Sequence, residues 1–292
     1  MGTLRAISRG AGALRPFVNA VRGVDRAAQH GGAIAVLDGE PAATGRLREI
    51  LGVGADEPLR DGTGLLVHAA VPGHDPTLAA AVLAGEKREG RSVLAILVAP
   101  AGERAALERT ILEARPLEPS NVAGVASLGD PASALAAVAR TLGDEAIAAG
   151  RRHPALRGAV ADLIVARAAR QAGAVGVAAI IPGSDLPALT LIQVRLVAQL
   201  AALHGRPLDA RRGIEIAGVL AGAFGWRALA RRAIATVPVA GFALRGGIAY
   251  SGTLAVGEAA CAYFAQAGDR ADQPLDGLQK ALKGARARRG RR

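Results

Sequence analysis

From Gly31 onward the chain alternates short apolar runs with longer, helix-patterned stretches. The apolar runs are Ala33–Leu37, Leu65–Ala70, Val93–Ala99 and Val122–Ser127, each bounded by turn-forming residues. Between them lie Thr44–Leu51, Pro76–Lys87, Glu103–Ala114 and Ala132–Leu142, whose apolar positions recur at helical spacing. Asp75 and Asp130 each precede a proline at the head of such a stretch. A carboxylate there accepts from free backbone N–H groups, and proline fits the first turn because its missing donor would be unpaired anyway. Strands apolar on both faces that alternate with helices predict a parallel sheet covered by helices. This pattern predicts an α/β domain over residues 31–150.

From Pro154 the strand pattern stops. Ala155–Gln171 reads as an amphipathic helix with Arg157, Asp162, Arg167 and Arg170 on its polar side, and Ala174–Ile181 as an apolar segment ending at Pro182. Gly183-Ser184-Asp185-Leu186-Pro187 reads as a break and a restart, with Ser184 or Asp185 as the cap. Leu189, Ile192, Leu196, Leu200 and Leu203 then follow at three-and-four spacing, and Gly205 stops the helix. Further helices are predicted at Asp209–Ala223, Arg227–Thr236 and about Val239–Gln266. The expected second domain, all-α, covers 154–267.

Charge adds two end segments to this picture. The formal net charge of +11 is carried by the ends of the chain. Lys280, Lys283, Arg286, Arg288, Arg289, Arg291 and Arg292 form a cluster without an acid, and Arg5, Arg9, Arg15, Arg22 and Arg26 stand against Asp25 alone. Residues 27–279 are therefore neutral overall. Residues 1–30 read as a basic N-terminal arm and 268–292 as a basic disordered tail. Aromatics make up only 2% of the chain, so the core must be built from Ala, Val, Leu and Ile. The lone Cys261 excludes an intrachain disulfide and fits a reducing compartment. Met1–Ala20 has no continuous apolar run of the signal-peptide kind, which makes a cytoplasmic location the expectation.

In order of elements the first half resembles an Era-type GTPase domain. Ala33–Leu37 takes the place of the strand before the phosphate loop, and Val93–Ala99 that of the strand ending in the guanine-reading Asn-Lys-x-Asp. The chemistry of that family needs Gly-x4-Gly-Lys-Ser/Thr: backbone N–H groups cradle phosphates, lysine neutralises them and the hydroxyl holds magnesium. Here the loop reads Gly39-Glu40-Pro41-Ala42-Ala43-Thr44-Gly45-Arg46-Leu47, one residue too long, with Glu40 and Pro41 where donors are wanted, Arg46 for the lysine and Leu47 for the hydroxyl. Pro100-Ala101-Gly102-Glu103 stands where guanine would be read. The stretch from Gly39 to Leu65 is too short for the usual switch segments and their two strands.

The second half resembles the YcjF-type domain of unknown function, which bacteria carry alone or behind Era-like GTPase domains. The resemblance runs from about Ala159 to Phe264. It rests on Ile181-Pro182-Gly183-Ser184-Asp185-Leu186-Pro187, Leu189-Thr190-Leu191-Ile192-Gln193, Ala202-Leu203-His204-Gly205, Phe224-Gly225-Trp226-Arg227-Ala228-Leu229-Ala230-Arg231, Val237-Pro238-Val239-Ala240-Gly241 and Ala249-Tyr250-Ser251-Gly252-Thr253-Leu254-Ala255-Val256-Gly257. It implies association with the inner membrane and with GTPase-like partners, and it supplies no reaction and no catalytic residues.

The expected fold is thus α/β: a reduced, mostly parallel GTPase-like sheet with flanking helices, followed by an all-α helical domain. The uncharged runs Gln171–Ser184, Ala233–Leu244 and Gly246–Gly257 fall short of the roughly twenty residues that span hydrocarbon, so a buried or re-entrant hairpin is expected. Gly218 and Gly222 sit four apart on one predicted helix, and six of the seven aromatics lie in this half. His30, His68, His74, His153 and His204 lack metal-ligand spacing and read as structural, Ser184 has no nucleophile elbow, and Cys261 reads as a small core residue. No catalytic, cofactor-binding or metal residue is assigned. The expectation is a non-catalytic pseudo-GTPase scaffold on the cytoplasmic side of the inner membrane, its tail drawn to anionic lipid, with a GTPase or a second copy as partner. The rivals are a divergent GTPase, a soluble cytoplasmic protein, and nucleic-acid binding through the tail.

Overall fold

The computed structural model describes residues 19–54, 64–178, 186–206 and 241–266. The fold is mixed α/β, a small parallel sheet with many flanking helices. Helix α1 covers 19–29, within the stretch read as an arm; Val24 and Ala28 on it are buried in the main core. Strands β1 (Ile34–Val36), β2 (Leu65–Ala70), β3 (Ser92–Val98) and β4 (Val122–Val125) pair in parallel in the order β1-β2-β3-β4. Helices α2 (Pro41–Leu51), α3 (Thr77–Arg88) and α4 (Ala101–Glu113) make the three crossovers, and α5 (Pro131–Thr141) follows β4.

Each strand alternates between the two faces of the sheet. Ile34, Val36, Leu65, Val67, Ala69, Leu94, Ile96 and Val125 point to a face covered by α2 and α5. Leu66, Ala70, Val93, Ala95 and Leu97 point to the other, covered by α3 and α4. Strand order advances in one direction, so crossovers on opposite faces have opposite hands. The β1-α2-β2 connection is therefore reversed relative to the other two. Nearly all such connections are right-handed, so a reversed one marks a sheet not built by simple repetition of one βαβ unit.

Helices α6 (Ala146–Arg152), α7 (Arg157–Ala178), α8 (Leu186–Leu203) and α9 (Gly241–Gln266) complete the described chain. Their buried faces join the α2/α5 side of the sheet in one continuous apolar core, which includes Leu47, Val138, Ile164, Leu200 and Phe264. Helix α7 runs unbroken through Gly173, where the sequence predicted a gap between two helices. The reason is tertiary. Helices α7 and α9 pack antiparallel at close range, with Gly176 beside Gly246 and Val165 beside Gly257. Packing at that crossing offsets the roughly 1 kcal/mol that a glycine costs inside a helix. The segments predicted at Asp209–Ala223 and Arg227–Thr236, the Ser184-Asp185 cap and Gly218/Gly222 lie outside the described residues.

Candidate functional site

In open parallel sheets, ligands bind beyond the carboxyl ends of the strands. Here the loop leaving β1 is four residues long, Leu37-Asp38-Gly39-Glu40, and α2 begins at Pro41. That is three residues before the predicted start, because Glu40 is the cap and Pro41 occupies the first turn. The Glu40 carboxylate accepts from Ala42 N at 3.1 Å and Ala43 N at 2.6 Å. These are the backbone donors of the helix N-terminus that would otherwise receive an external anion. The two N–H groups, Ala43 first, hold the Glu40 carboxyl below the usual carboxylate range, so it stays ionised at neutral pH.

The neighbouring motif residues are turned to other tasks. Arg46 lies in the second turn of α2, where it pairs with Glu49 at 2.7 Å and donates to Leu128 O at 3.3 Å. Leu47 is fully buried in the core. Arg48 donates to Asp38 at 2.8 Å and to Val36 O at 3.3 Å, which covers the outward carbonyl of the edge strand β1. At the end of β3 the chain passes through Pro100 straight into α4. Arg104 Nε donates to Ala99 O at 2.7 Å, and Glu103 is exposed in the first helical turn.

Below this loop lies His68 of β2. A Cβ on Gly39 would stand 2.5 Å from His68 Cε1, so only glycine lets the loop cross the ring at that distance. His68 is 1% exposed, and neither ring nitrogen has a hydrogen-bond partner. Burial lowers its pKa from 6.5, and the charge of nearby His74 lowers it further; the Leu37 backbone opposes the shift without reaching hydrogen-bonding geometry. The sign is fixed by linkage. The folded state holds this ring neutral to lower pH than the unfolded chain, which protonates below about pH 6.5, so stability is lost as pH falls below that value. One proton contributes a slope of at most about 1.4 kcal/mol per pH unit. His68→Leu is expected to flatten the acid limb of a urea-midpoint against pH profile below about pH 6.5 without lowering the midpoint at pH 7.5.

The other histidines, the capping aspartates and Cys261 have the following surroundings. His30 Nδ1 lies 3.1 Å from Arg26 O, and His204 Nδ1 lies 2.8 Å from Leu200 O while its ring stacks on Phe264. His153 is buried and His74 exposed. No grouping of three metal-ligating side chains occurs among the described residues. Asp75 accepts from Thr77 N and Oγ1, and Asp130 from Ala132 N, as their places before α3 and α5 predict. Burial, then Asp162 and Glu258, push the Cys261 thiol up, away from thiolate reactivity.

In the helical half, α8 (Leu186–Leu203) is the one helix among the described residues long and apolar enough to cross a membrane by length and composition, and half of it is buried in the protein. The uncharged-run reading missed it because Arg195 interrupts the sequence. Tyr250 and Tyr263 are exposed, whereas Phe264 is buried. The seven basic residues from Lys280 lie outside the described residues. No family model, curated protein or solved structure matches this chain.

Proposed function

We propose that this chain is a non-catalytic, membrane-proximal interaction protein: a pseudo-GTPase α/β half that makes contacts in place of binding nucleotide, followed by an all-α, YcjF-like half that shares its core. The observation that carries the reading is the Glu40 carboxylate at the head of α2. An anion from the chain itself already occupies the backbone donors a phosphate needs, and a triphosphate brought to the same place would meet like charge. The burial of Leu47 and the pairing of Arg46 with Glu49 support it, since neither serves magnesium or phosphate from its present position. The reversed β1-α2-β2 crossover supports a sheet reduced by loss of intervening strands, in line with the short interval before Leu65.

The membrane half of the reading draws on α8, on the apolar α7–α9 pair and on the cluster from Lys280 to Arg292. Each basic residue near an anionic surface contributes about 1 kcal/mol at low salt. Co-sedimentation of the full chain with vesicles of phosphatidylglycerol and phosphatidylethanolamine tests it. The expected result is binding at low salt that weakens by about a hundredfold when the chain is cut before Lys280, the equivalent of two to three basic contacts. Recovery of the full chain in the supernatant at low salt rejects the membrane half and favours α8 as an ordinary core helix.

A further inference from the structure

The two edges of the sheet are finished differently. At β1 the outward carbonyl of Val36 is covered by Arg48. At β4 the parallel ladder sends Val125 toward β3, its carbonyl accepting from Ala99 N at 3.1 Å, and so sends the N–H and C=O of Gly124 and the C=O of Val122 outward. Gly124 is exposed, and beside it runs a groove of about 470 Å³ between β4 and α5. Ser120, Ala123, Gly124, Ser133, Ala136 and Arg140 line it, and its lining holds no carboxylate. Arg140, exposed in the last turn of α5, makes no hydrogen bond or ion pair among the described residues. On the opposite face the Arg104 side chain lies against Gly124, where a Cβ would stand 2.7 Å from its Cδ. An open strand edge is thus flanked by a cation on each face.

We infer that the β4 edge and the β4/α5 groove are a docking surface for an extended, acidic segment of a partner protein, which adds a fifth strand to the sheet. Main-chain bonds to Val122 and Gly124 would hold the strand, and small Ala123 and Ala136 leave room for side chains directed toward α5. Arg140 selects a carboxylate there, as alternation along a strand permits at every second residue. The surface stands at the far edge of the sheet from β1 and the α2 N-terminus. Whether or not the chain binds nucleotide, this inference stands or falls alone.

The probe is a fluorescein-labelled hexapeptide of alternating threonine and glutamate, with a threonine–lysine counterpart, titrated against the full chain by anisotropy. The glutamate peptide should bind saturably, and the lysine peptide about tenfold more weakly or worse. Arg140→Glu and Gly124→Pro should each weaken the glutamate peptide by about tenfold, the latter because proline removes an outward donor but no ladder bond. Hydrogen exchange on the unmodified chain gives a readout that needs no variant: the Gly124 amide should exchange freely alone and become protected with the glutamate peptide. Equal affinity for the two peptides, no binding at millimolar concentration, or an unprotected Gly124 amide at saturation overturns the inference. So does a concentration-dependent dimer abolished by Gly124→Pro with no peptide binding, which assigns the edge to a second copy of this chain.

Discussion

Gly32→Ala is expected to destabilise the protein by about 3 kcal/mol, a loss that combines backbone strain of about 1–2 kcal/mol with overpacking of similar size. Gly32 has φ of +79°, and a Cβ there would stand 2.3 Å from Ala149 N and 2.5 Å from Ala148 C. Those are backbone atoms of α6, a helix buried along most of its length, so they have nowhere to go. The Gly32 N–H also donates to Glu145 at 3.0 Å, tying the start of β1 to the segment entering α6. Thermal unfolding should shift down by roughly 6–12 °C. Gly45→Ala is the control. It lies inside α2 with open space around it, and should raise stability by up to about 1 kcal/mol.

Gly176→Leu should cost about 3 kcal/mol for a related reason in the helical half, the upper end of what overpacking a tight contact brings. A Cβ at Gly176 would lie 2.9 Å from Arg245 O and 3.0 Å from Ala249 Cβ, so a leucine forces α7 and α9 apart. Gly247→Ala, on α9 with nothing within 4 Å, should instead stabilise by up to about 1 kcal/mol. Chemical denaturation of the two variants separates a packed crossing from mere helical glycine. Equal effects at both positions would mean that α7 and α9 do not meet as described.

Much of the α/β half was legible because its strands are apolar on both faces and two of its helices, α3 and α5, follow an aspartate–proline pair. Leu65–Ala70 emerged with the same ends, and Val93–Ala99 lies within one residue of β3. What stayed hidden follows from geometry that no local pattern carries. Alternation specifies parallel strands but not which face each crossover takes, so the reversed hand of β1-α2-β2 is absent from the pattern. Glu40 read as a residue that spoils a phosphate loop; that the same carboxylate caps α2 follows only from the four-residue loop that ends on it. The interval between Gln171 and Ala174 reads as a gap, while the packing against α9 that carries α7 through it involves residues more than seventy positions away. The Gly124 edge gave no signal at all, since a strand's position at the rim of a sheet is set by its neighbours.

The contact between His68 and Gly39 is a similar case. A histidine inside an apolar strand reads as structural, and here it is buried with two unpartnered nitrogens, where burial holds its pKa down. A buried polar group without a bond costs about 1–3 kcal/mol. Its loss to leucine is therefore expected to be tolerated.

Loss of nucleotide binding rests above all on the Glu40 carboxylate filling the head of α2. Isothermal titration of the full chain with the magnesium complexes of GTPγS and ATPγS tests this directly. With Glu40 in place, neither nucleotide should bind more tightly than millimolar. Saturable micromolar binding of either one, weakened by Arg46→Ala, would contradict it and make this half a nucleotide-binding domain.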